Sequence, residues 1–565
     1  MQEHLFSDAQ NDNPLWLDTL RARFAIDPNA VRLTLRRIGA DGSIRDFPLP
    51  LPRPQTPAQR ETLRRYLCAT VYNLLSALSA QRLEFYLDPS ETQAHELLNE
   101  LPALFQLGAD EHSGYGKVTA IADRLCRALG KPPLEFAVCD AADYHPIPSE
   151  TAKPTAVLPE KLSACLAKAA HGIVCGMDIG GTDIKLAISR DGMLLCCKEF
   201  DWDPAAYPNV EDLIRPIMLL LRLMACRAAV QNPVSTLLCA LEKGATLAEM
   251  QAVVDTLPTV RFDALGISFP DVVISDRIVG GETPKTRAMR QNTSRNYEAQ
   301  FAELRELREL LKPLCRENAP IRIINDGHMA AFAAALELCA GGQSTLLADG
   351  VIAHALGTDL GTGWLDPDGS IPQVPMELYD FLLDLGSAHS ADLAPDDLRS
   401  VRNENSGMAG ARRYVGQAAA FRLAWTSDPH LLDGFTEVRD GLLLLPAQLR
   451  KPCLEHLMQA AQDGSKAARA VFLDIGRNLG HVCLEAEWLL APKTHFRFLF
   501  GRFVKLPACF MLLAQGLAEI CPDLVLRAPD ESMANSPLMA QLAAQHGPTV
   551  AQFGQAIASI YYALM

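Results

Sequence analysis

Gly172-Ile-Val-Cys-Gly-Met-Asp-Ile-Gly-Gly-Thr-Asp-Ile-Lys-Leu-Ala-Ile188 decides the fold, because it predicts a strand, a tight turn and a second strand. At the turn, Gly180 and Gly181 remove two Cβ atoms and permit positive φ, so backbone N–H groups can approach an anion closely. Thr182 adds a hydroxyl donor and Lys185 adds a positive charge. We interpret the turn as a phosphate cradle. The alternative is a plain β-hairpin whose turn happens to be Gly-Gly.

A second loop of the same chemistry occurs in Leu356-Gly-Thr-Asp-Leu-Gly-Thr-Gly-Trp364. Glycine-rich hairpins are common, so this loop alone is a weak signal, but two such loops indicate two lobes that close on one nucleotide. Asp178, at the end of the first strand quoted above, is expected to hold the waters of a Mg²⁺ rather than to touch phosphate. The candidate phosphate ligands of the second loop are Gly357, Thr358, Gly361 and Thr362.

The two loops carry a resemblance to a known family. Asp178–Lys185 closely resembles a phosphate motif of the ROK family, which comprises sugar kinases and sugar-responsive repressors. Gly357–Gly363 is similar to the second phosphate motif of that family. The family belongs to the actin, sugar-kinase and heat-shock chaperone superfamily. The resemblance extends over roughly residues 172–365 and 470–562. It implies an α/β fold, a two-lobed actin-like ATPase with ribonuclease-H-like lobes and Mg·ATP between them. The first 170 residues lie outside it.

The acceptor side of the site is expected in Ile324-Asn-Asp-Gly-His-Met-Ala-Ala-Phe332, a strand end that runs into an alanine-rich helix. This segment resembles the family's Asn-Asp motif. The resemblance implies that Asp326 accepts the proton of a sugar hydroxyl as it attacks the γ-phosphate, while Asn325 bonds to a neighbouring hydroxyl. The alternative is that Asp326 only caps the helix. His328 is expected to pack or cap rather than to react.

Two further carboxylates are candidate sugar ligands. Glu282 follows the strand Ala264–Pro270, which resembles the family's strand before its sugar-contacting loop. Glu377 lies downstream of the second loop, where the family places a glutamate that grips the sugar. The alternative for both is an ordinary solvated loop residue.

One departure from the family concerns zinc. Most members carry a His and a Cys-x-Cys motif shortly after that glutamate, but this chain has no cysteine between Cys339 and Cys453. His389 therefore has no thiolate companions, and zinc is not expected.

A second departure concerns the adenosine side. Phe496–Phe503 resembles the family's glycine-rich strand end beside the nucleoside, with Gly501 as its glycine. The family usually has a Gly-Gly pair, whereas Arg502 and Phe503 follow Gly501 here. These larger side chains are expected where the nucleoside would pass, and Arg502 would either stack on adenine or fill its pocket.

The composition, with 49% apolar and 21% charged residues, is that of a folded globular protein. The net charge of −15 repels phosphate backbones and disfavours nucleic acid as a partner. No signal segment and no run long enough to span a bilayer is present, so we expect a cytoplasmic protein without membrane contact. The 15 cysteines are scattered, mostly in apolar stretches, which favours reduced, buried thiols.

The region before the first loop predicts a mixed α+β domain. Val31–Ile38 and Ile44–Phe47 alternate in period two around Asp41-Gly42 and predict a β-hairpin. Helical patterning follows at about 57–82 and 118–130.

Proline residues then predict a linker, at Pro146, Pro148, Pro154 and Pro159. We divide the chain into an N-terminal α+β domain of unknown role (1–150), a kinase-like N-terminal lobe (170–345) and a kinase-like C-terminal lobe (346–565).

Together these observations favour an ATP-dependent sugar kinase that phosphorylates a hexose-like sugar, with Asp326 as general base. The competing class is a non-catalytic ROK-like sugar sensor that has kept the cleft, and a third is a non-sugar ATPase of the same superfamily. The sugar's identity and a homodimer both stay open.

Overall fold

The computed structural model describes residues 14–106, 120–147, 157–280, 284–386, 397–399, 408–528, 534–547 and 552–565. These residues form an N-terminal domain and two α/β lobes, each built on its own sheet.

The N-terminal domain combines one mixed sheet with helices. Its elements are α1 (Leu17–Ala25), β1 (Val31–Ile38), β2 (Ile44–Leu51), α2 (Pro57–Leu78), β3 (Arg82–Leu87), α3 (Thr92–Glu100), α4 (Pro102–Phe105), α5 (Ile121–Ala128) and β4 (Glu135–Asp140). The sheet order is β2-β1-β3-β4. The predicted hairpin is confirmed, because β1 and β2 pair antiparallel with Ile38 opposite Ile44. The helix predicted over 57–82 ends earlier, at Leu78, because β3 begins at Arg82.

The first lobe follows helix α6 (Leu158–Lys168), where Pro159 occupies the first turn. Its elements are β5 (Ile173–Ile179), β6 (Asp183–Arg190), β7 (Met193–Asp201), α7 (Val210–Ala229), α8 (Ser235–Leu241), α9 (Leu247–Thr256), β8 (Ala264–Phe269), β9 (Val273–Ile274), β10 (Arg277–Ile278), α10 (Arg287–Gln291), α11 (Tyr297–Arg305), α12 (Leu307–Leu311), β11 (Ile321–Asn325) and α13 (Asp326–Ala340). The main sheet has the order β11-β8-β5-β6-β7.

In that sheet β5, β6 and β7 form an antiparallel meander, while β8 and β11 run parallel to β5. This order and these directions are those of a ribonuclease-H-like lobe. Every residue of β8 is buried, as expected for a central strand covered by helices on both faces.

The second lobe contains β12 (Val351–Leu356), β13 (Leu360–Leu365), β14 (Leu382–Asp384), β15 (Ala409–Gly410), α14 (Ala411–Tyr414), α15 (Gln417–Ser427), β16 (Glu437–Arg439), β17 (Leu442–Leu444), α16 (Ala447–Gln462), α17 (Lys466–Leu490), β18 (Phe496–Gly501), α18 (Pro507–Ile520), β19 (Val525–Arg527), α19 (Pro537–His546) and α20 (Gly554–Tyr562). Its main sheet has the order β13-β12-β18-β19, with an antiparallel β12–β13 hairpin and β18 and β19 parallel to β12. A hairpin followed by parallel strands repeats the plan of the first lobe, so the predicted two-lobed actin-like fold class is confirmed.

Helices α13 and α20 lie between the two sheets. One hydrophobic cluster joins residues of both sheets to these helices, for example Val174, Ala353, Phe332 and Ile557. Glycines in the first sheet allow α20 to approach closely, since a Cβ on Gly266 would lie 1.9 Å from the carbonyl oxygen of Ser559.

The N-terminal domain shares its core with the second lobe. A single cluster of buried side chains includes Leu35, Tyr66 and Phe85 of the domain together with Leu382 and Phe472 of the second lobe. The two units are therefore packed as one body, and the boundary predicted near residue 150 falls in a stretch outside the described residues.

All 15 cysteines are in the described part of the chain and all are free, and Cys239 alone is exposed. Ten of the thiols are buried, as expected for cysteines within apolar stretches. Among the described residues, no helix combines the length and apolar character needed to cross a bilayer.

Gly266→Ala should lower the free energy of unfolding by at least about 2 kcal/mol, because the added methyl group overlaps the backbone of α20. Urea unfolding would measure the change. Gly244→Ala is the matched control, since nothing lies within 4 Å of a Cβ at that position. Equal stability of the two variants would contradict the packing described.

Candidate functional site

Parallel strands of the first sheet end side by side, and their ends carry the polar residues of the candidate site. Asp178 on β5 is level with Ser268 on β8, and Asn325 at the end of β11 is level with Phe269. Carboxyl ends of parallel strands form the edge at which ligands bind in open α/β sheets. The fold therefore brings together two motifs that are far apart in the sequence.

Asp178 lies at the centre of this edge. The pKa of its carboxyl group is raised to about 6, mainly by burial. The Ser268 hydroxyl and Lys185 oppose this rise, and the charge of nearby Asp326 contributes to it. Asp178 and Asp326 are thus close enough for their charges to interact. Two interacting carboxylates at one edge favour a cation or a proton between them.

The first glycine turn is held by backbone and side-chain hydrogen bonds. The N–H of Gly180 donates to the carbonyl of Asp183 at 2.8 Å, and the indole N–H of Trp202 donates to the carbonyl of Gly180 at 3.0 Å. Gly181 and Thr182 are exposed at the tip. Neither Gly180 nor Gly181 adopts the positive φ that glycine permits.

The structure gives a different reason for glycine at these two positions, which is close approach. A Cβ on Gly180 would lie 2.9 Å from the carbonyl oxygen of Asp183, and one on Gly181 would lie 3.1 Å from the Cε atom of Lys285. Space at the turn is therefore limited by neighbours on two sides.

Lys285 is a candidate phosphate ligand that the sequence analysis missed. Its stem passes beside Gly181, its ammonium group donates to the carbonyl of Pro270 at 3.3 Å, and its charge acts on Glu377. Lys185, the lysine predicted from the motif, lies 2.5 Å from Asp183 in an ion pair. Two lysines thus flank the first loop, and the charge of Lys285 also acts on the carboxyl group of Glu377.

Asn325 is the residue that caps α13. Its side-chain oxygen accepts from the N–H of Gly327 at 2.8 Å, and its amide group donates to the carbonyl of Asp271 at 3.0 Å. One N–H and one oxygen lone pair of the amide are thus used within the protein. The half-buried side chain keeps a second N–H, so the role of Asn325 as a sugar ligand stays a prediction. Asp326 is the first residue of the helix, not its cap, and is partly exposed.

His328 is structural, as predicted. It is 2% exposed and its Nδ1 atom accepts from the backbone N–H of Trp364 at 3.0 Å. This bond fixes the start of α13 against β13. Burial lowers the pKa of His328 to about 4, so the imidazole is neutral near pH 7.

The second glycine loop turns the chain between β12 and β13. Gly357 and Thr358 lie at its tip, and no atom lies within 4 Å of a Cβ placed on Gly357. Thr362 is 3% exposed, and its hydroxyl is 2.9 Å from Nδ1 of buried His354. The expectation that Thr362 binds phosphate does not fit this position. Gly361 faces Ala355 across the hairpin.

The adenosine side differs from the sequence-based expectation in one respect. Gly501 has a φ of +107°, and a Cβ there would lie 2.2 Å from the carbonyl oxygen of Leu356, so glycine is required. Phe503 is fully buried in the core and packs against Phe472, with ring centroids 6.2 Å apart. Phe503 therefore does not fill the space where the nucleoside was expected, whereas Arg502, next to Gly501, is partly exposed.

An acidic pocket lies next to Asp326. Asp271, Glu377 and Asp380 line it together with Tyr379. Burial raises the pKa of Glu377 well above its usual range, and the charges of Asp380, Asp271 and Asp326 add to this effect while Lys285 opposes it. Glu377 is therefore favoured in its protonated form, in which it can donate one hydrogen bond and accept others.

Asp380 and Tyr379 connect the pocket to the second lobe. Asp380 pairs with Arg412, whose guanidinium lies 5.2 Å from the ring centroid of Tyr379. Burial raises the pKa of Tyr379, and Asp380 and Glu377 raise it further. The phenol stays neutral near pH 7 and is available as a hydrogen-bond donor.

The residues present fit Mg·ATP at the exposed tips of the two glycine loops. Mg²⁺ commonly takes one or two protein carboxylates and completes its shell with waters and phosphates, which matches Asp178 as a ligand through water. Groups of three or more His, Cys, Asp or Glu side chains arranged to hold a metal ion are absent from the described residues. Glu282 and His389 lie outside the described residues.

Solved structures of sugar kinases resemble this chain. The ROK glucokinase of Streptomyces griseus, solved with glucose and AMPPNP, is 18% identical over 66% of this chain and 100% of its own, with a TM-score of 0.35. The ROK hexokinase of Thermus thermophilus is 17% identical over 66% and 97%, with a TM-score of 0.36. The glucokinase of Balamuthia mandrillaris, solved with glucose, is 13% identical over 68% and 96%, with a TM-score of 0.37.

Two of these structures, from Streptomyces griseus and Thermus thermophilus, are described as ROK-family proteins, and the similarity concerns the fold alone. No protein-family model and no curated protein matches the chain.

The buried His328 should make stability depend on pH. Its pKa lies below that of an unfolded histidine, so its contribution is fully present above about pH 6.5 and is lost as the pH falls towards 4. His328→Gln should flatten this part of the curve of unfolding free energy against pH. His430→Gln is the control, because that side chain is 86% exposed. Identical slopes for wild type and His328→Gln would exclude the effect.

Proposed function

We propose that this protein is an ATP-dependent sugar kinase that phosphorylates a hydroxyl group of a hexose-like sugar. The observation that carries the proposal is the position of Asp326 at the start of α13, where its charge acts on both Asp178 and Glu377. One carboxylate therefore lies between a candidate Mg²⁺ ligand and a candidate acceptor pocket. A general base for phosphoryl transfer to a hydroxyl is needed at that position.

The acceptor hydroxyl would be deprotonated by Asp326 as it attacks. When bound, Mg·ATP supplies the phosphoryl group and the charge neutralisation that its transfer requires. Asp178 would hold the hydrated metal. Protonated Glu377 would donate to an acceptor oxygen, and Asp271 would accept from a second hydroxyl. Asn325 would bond to a neighbouring hydroxyl through its second amide N–H.

Phosphate would be bound by the tips of the two glycine loops. Gly181 and Thr182 are exposed and would face the cleft from the first lobe, and Gly357 and Thr358, at the tip of the second hairpin, would do so from the second lobe. The positive charge of Lys285 would then neutralise negative charge on the phosphates between the first loop and the acceptor. Lys185 on β6 would add a second positive charge. Gly180, Gly361 and Gly501 would shape the backbone without contacting phosphate themselves.

Asp326→Asn should lower kcat by at least about a hundredfold, because an amide cannot take the proton although it keeps the shape of the carboxylate. The affinity for sugar should change much less. ADP release across hexoses, hexosamines and N-acetylhexosamines measures kcat, and calorimetry measures sugar binding. Asp433→Asn, at an exposed aspartate outside the cleft, is the control.

A protein that binds sugar but transfers no phosphoryl group to any acceptor of the panel would contradict the kinase proposal. If Asp326→Asn then altered affinity alone, Asp326 would be a ligand in a sugar sensor.

Gly181→Val should abolish the thermal stabilisation of the protein by Mg·ATP, because the side chain would enter the space between the turn and Lys285. The melting temperature without nucleotide should stay close to that of wild type, since Gly181 is exposed. Differential scanning fluorimetry with and without Mg·ATP would measure both. Gly244→Val is the control, because a Cβ at Gly244 has no atom within 4 Å. A wild type that shows no shift with Mg·ATP would contradict nucleotide binding.

A further inference from the structure

The N-terminal domain forms one wall of the acidic pocket. Ile121, Arg124 and Leu125 of α5 line the cavity opposite Asp271 and Glu377. The pocket is thus bounded by three parts of the chain: the N-terminal domain, the first lobe and the second lobe.

This wall is anchored to the first lobe by an apolar contact. Ile121 and Leu125 form a small buried cluster with Val272, Ile274 and Val279, which belong to the β9–β10 hairpin and its flanks. In addition, a guanidinium nitrogen of Arg124 donates to the carbonyl of Gly280 at 3.4 Å. Because the rest of the domain shares its core with the second lobe, α5 spans the cleft between the lobes.

Arg124 is the bulkiest and the one basic side chain lining the cavity. It is 7% exposed, and a cavity of about 20 Å³ remains beside it, which holds a water molecule but no hexose ring. Arg124 lines the same pocket as three carboxyl groups, whose oxygens could accept hydrogen bonds from the hydroxyl groups of a sugar. Arg124 therefore occupies part of the volume that an acceptor needs.

We propose that Arg124 on α5 is a specificity-determining residue of the acceptor site, which limits the size of the sugar that the pocket admits. This inference rests on the proposed kinase function. An acceptor enters when Arg124 withdraws from the pocket, and a small hexose demands less withdrawal than an N-acetylhexosamine. The N-terminal domain is thereby part of the acceptor site and not an appended unit.

Arg124→Ala removes the long side chain from the wall of the pocket and leaves Ile121 and Leu125, the apolar anchor of α5, in place. We expect the ratio of kcat/KM for N-acetylhexosamines to kcat/KM for the parent hexoses to rise at least about tenfold, with the KM for ATP unchanged. Arg124→Lys retains the charge and much of the length, so its ratio should stay near that of wild type.

Arg127→Ala is the matched control. Arg127 lies one turn along the same helix, where it pairs with Asp123 at 3.1 Å, and its side chain is 45% exposed. A loss of helix stability or of positive charge alone would affect both arginine variants equally. A change of acceptor ratio confined to Arg124→Ala supports the proposal.

The outcomes separate this proposal from the kinase proposal. If wild type phosphorylates sugars and Arg124→Ala leaves the acceptor ratio unchanged, or shifts it towards the smaller sugars, the size limit is wrong while the kinase function stands. If neither wild type nor Arg124→Ala binds or phosphorylates any member of the panel, both proposals fail. Calorimetric titration with the same sugars reports binding in the absence of turnover.

Discussion

Close packing between the two sheets depends on glycine backbone at the points where helices cross. A Cβ on Gly363 of β13 would lie 1.9 Å from the carbonyl oxygen of Gly327, and one on Gly176 of β5 would lie 2.0 Å from the carbonyl oxygen of Ala556. The first contact fixes the start of α13 against the second lobe, and the second fixes α20 against the first. Asp326 is the first residue of α13. The close approach of Gly363 to Gly327 therefore also sets the position of Asp326 relative to the two lobes.

Several polar residues near the site contribute to this packing. Asn325 caps α13, His328 binds the backbone of β13, and Thr362 pairs with buried His354. Each satisfies a polar group that would otherwise be buried without a partner, at a cost of about 1–3 kcal/mol. The remaining candidates for the proposed chemistry are Asp326 and the acidic pocket around Glu377.

The N-terminal domain is joined to the second lobe by a buried polar network as well as by apolar packing. Arg21 pairs with Glu485 at 2.5 Å and stacks over Trp488 at 3.8 Å, and the amide of Asn73 donates to the same carboxylate at 3.0 Å. Breaking one member of such a network leaves a buried charge, so the network specifies one arrangement of the two units. That arrangement is what carries α5, and with it Arg124, across to the first lobe.

The sequence by itself determined the features that depend on local pattern. The two glycine turns, the hairpin around Asp41 and Gly42, and the strand-to-helix junction at Asp326 were all predicted from neighbouring residues, because turn geometry and periodicity are local properties. Only the tertiary structure decided which side chains share the site. Lys285 and Arg124 contact residues far away along the chain, and Thr362 is removed from the site by a histidine on the adjacent strand. Such partners are chosen by packing and by the need to satisfy buried polar groups, and neither leaves a signal in the local sequence.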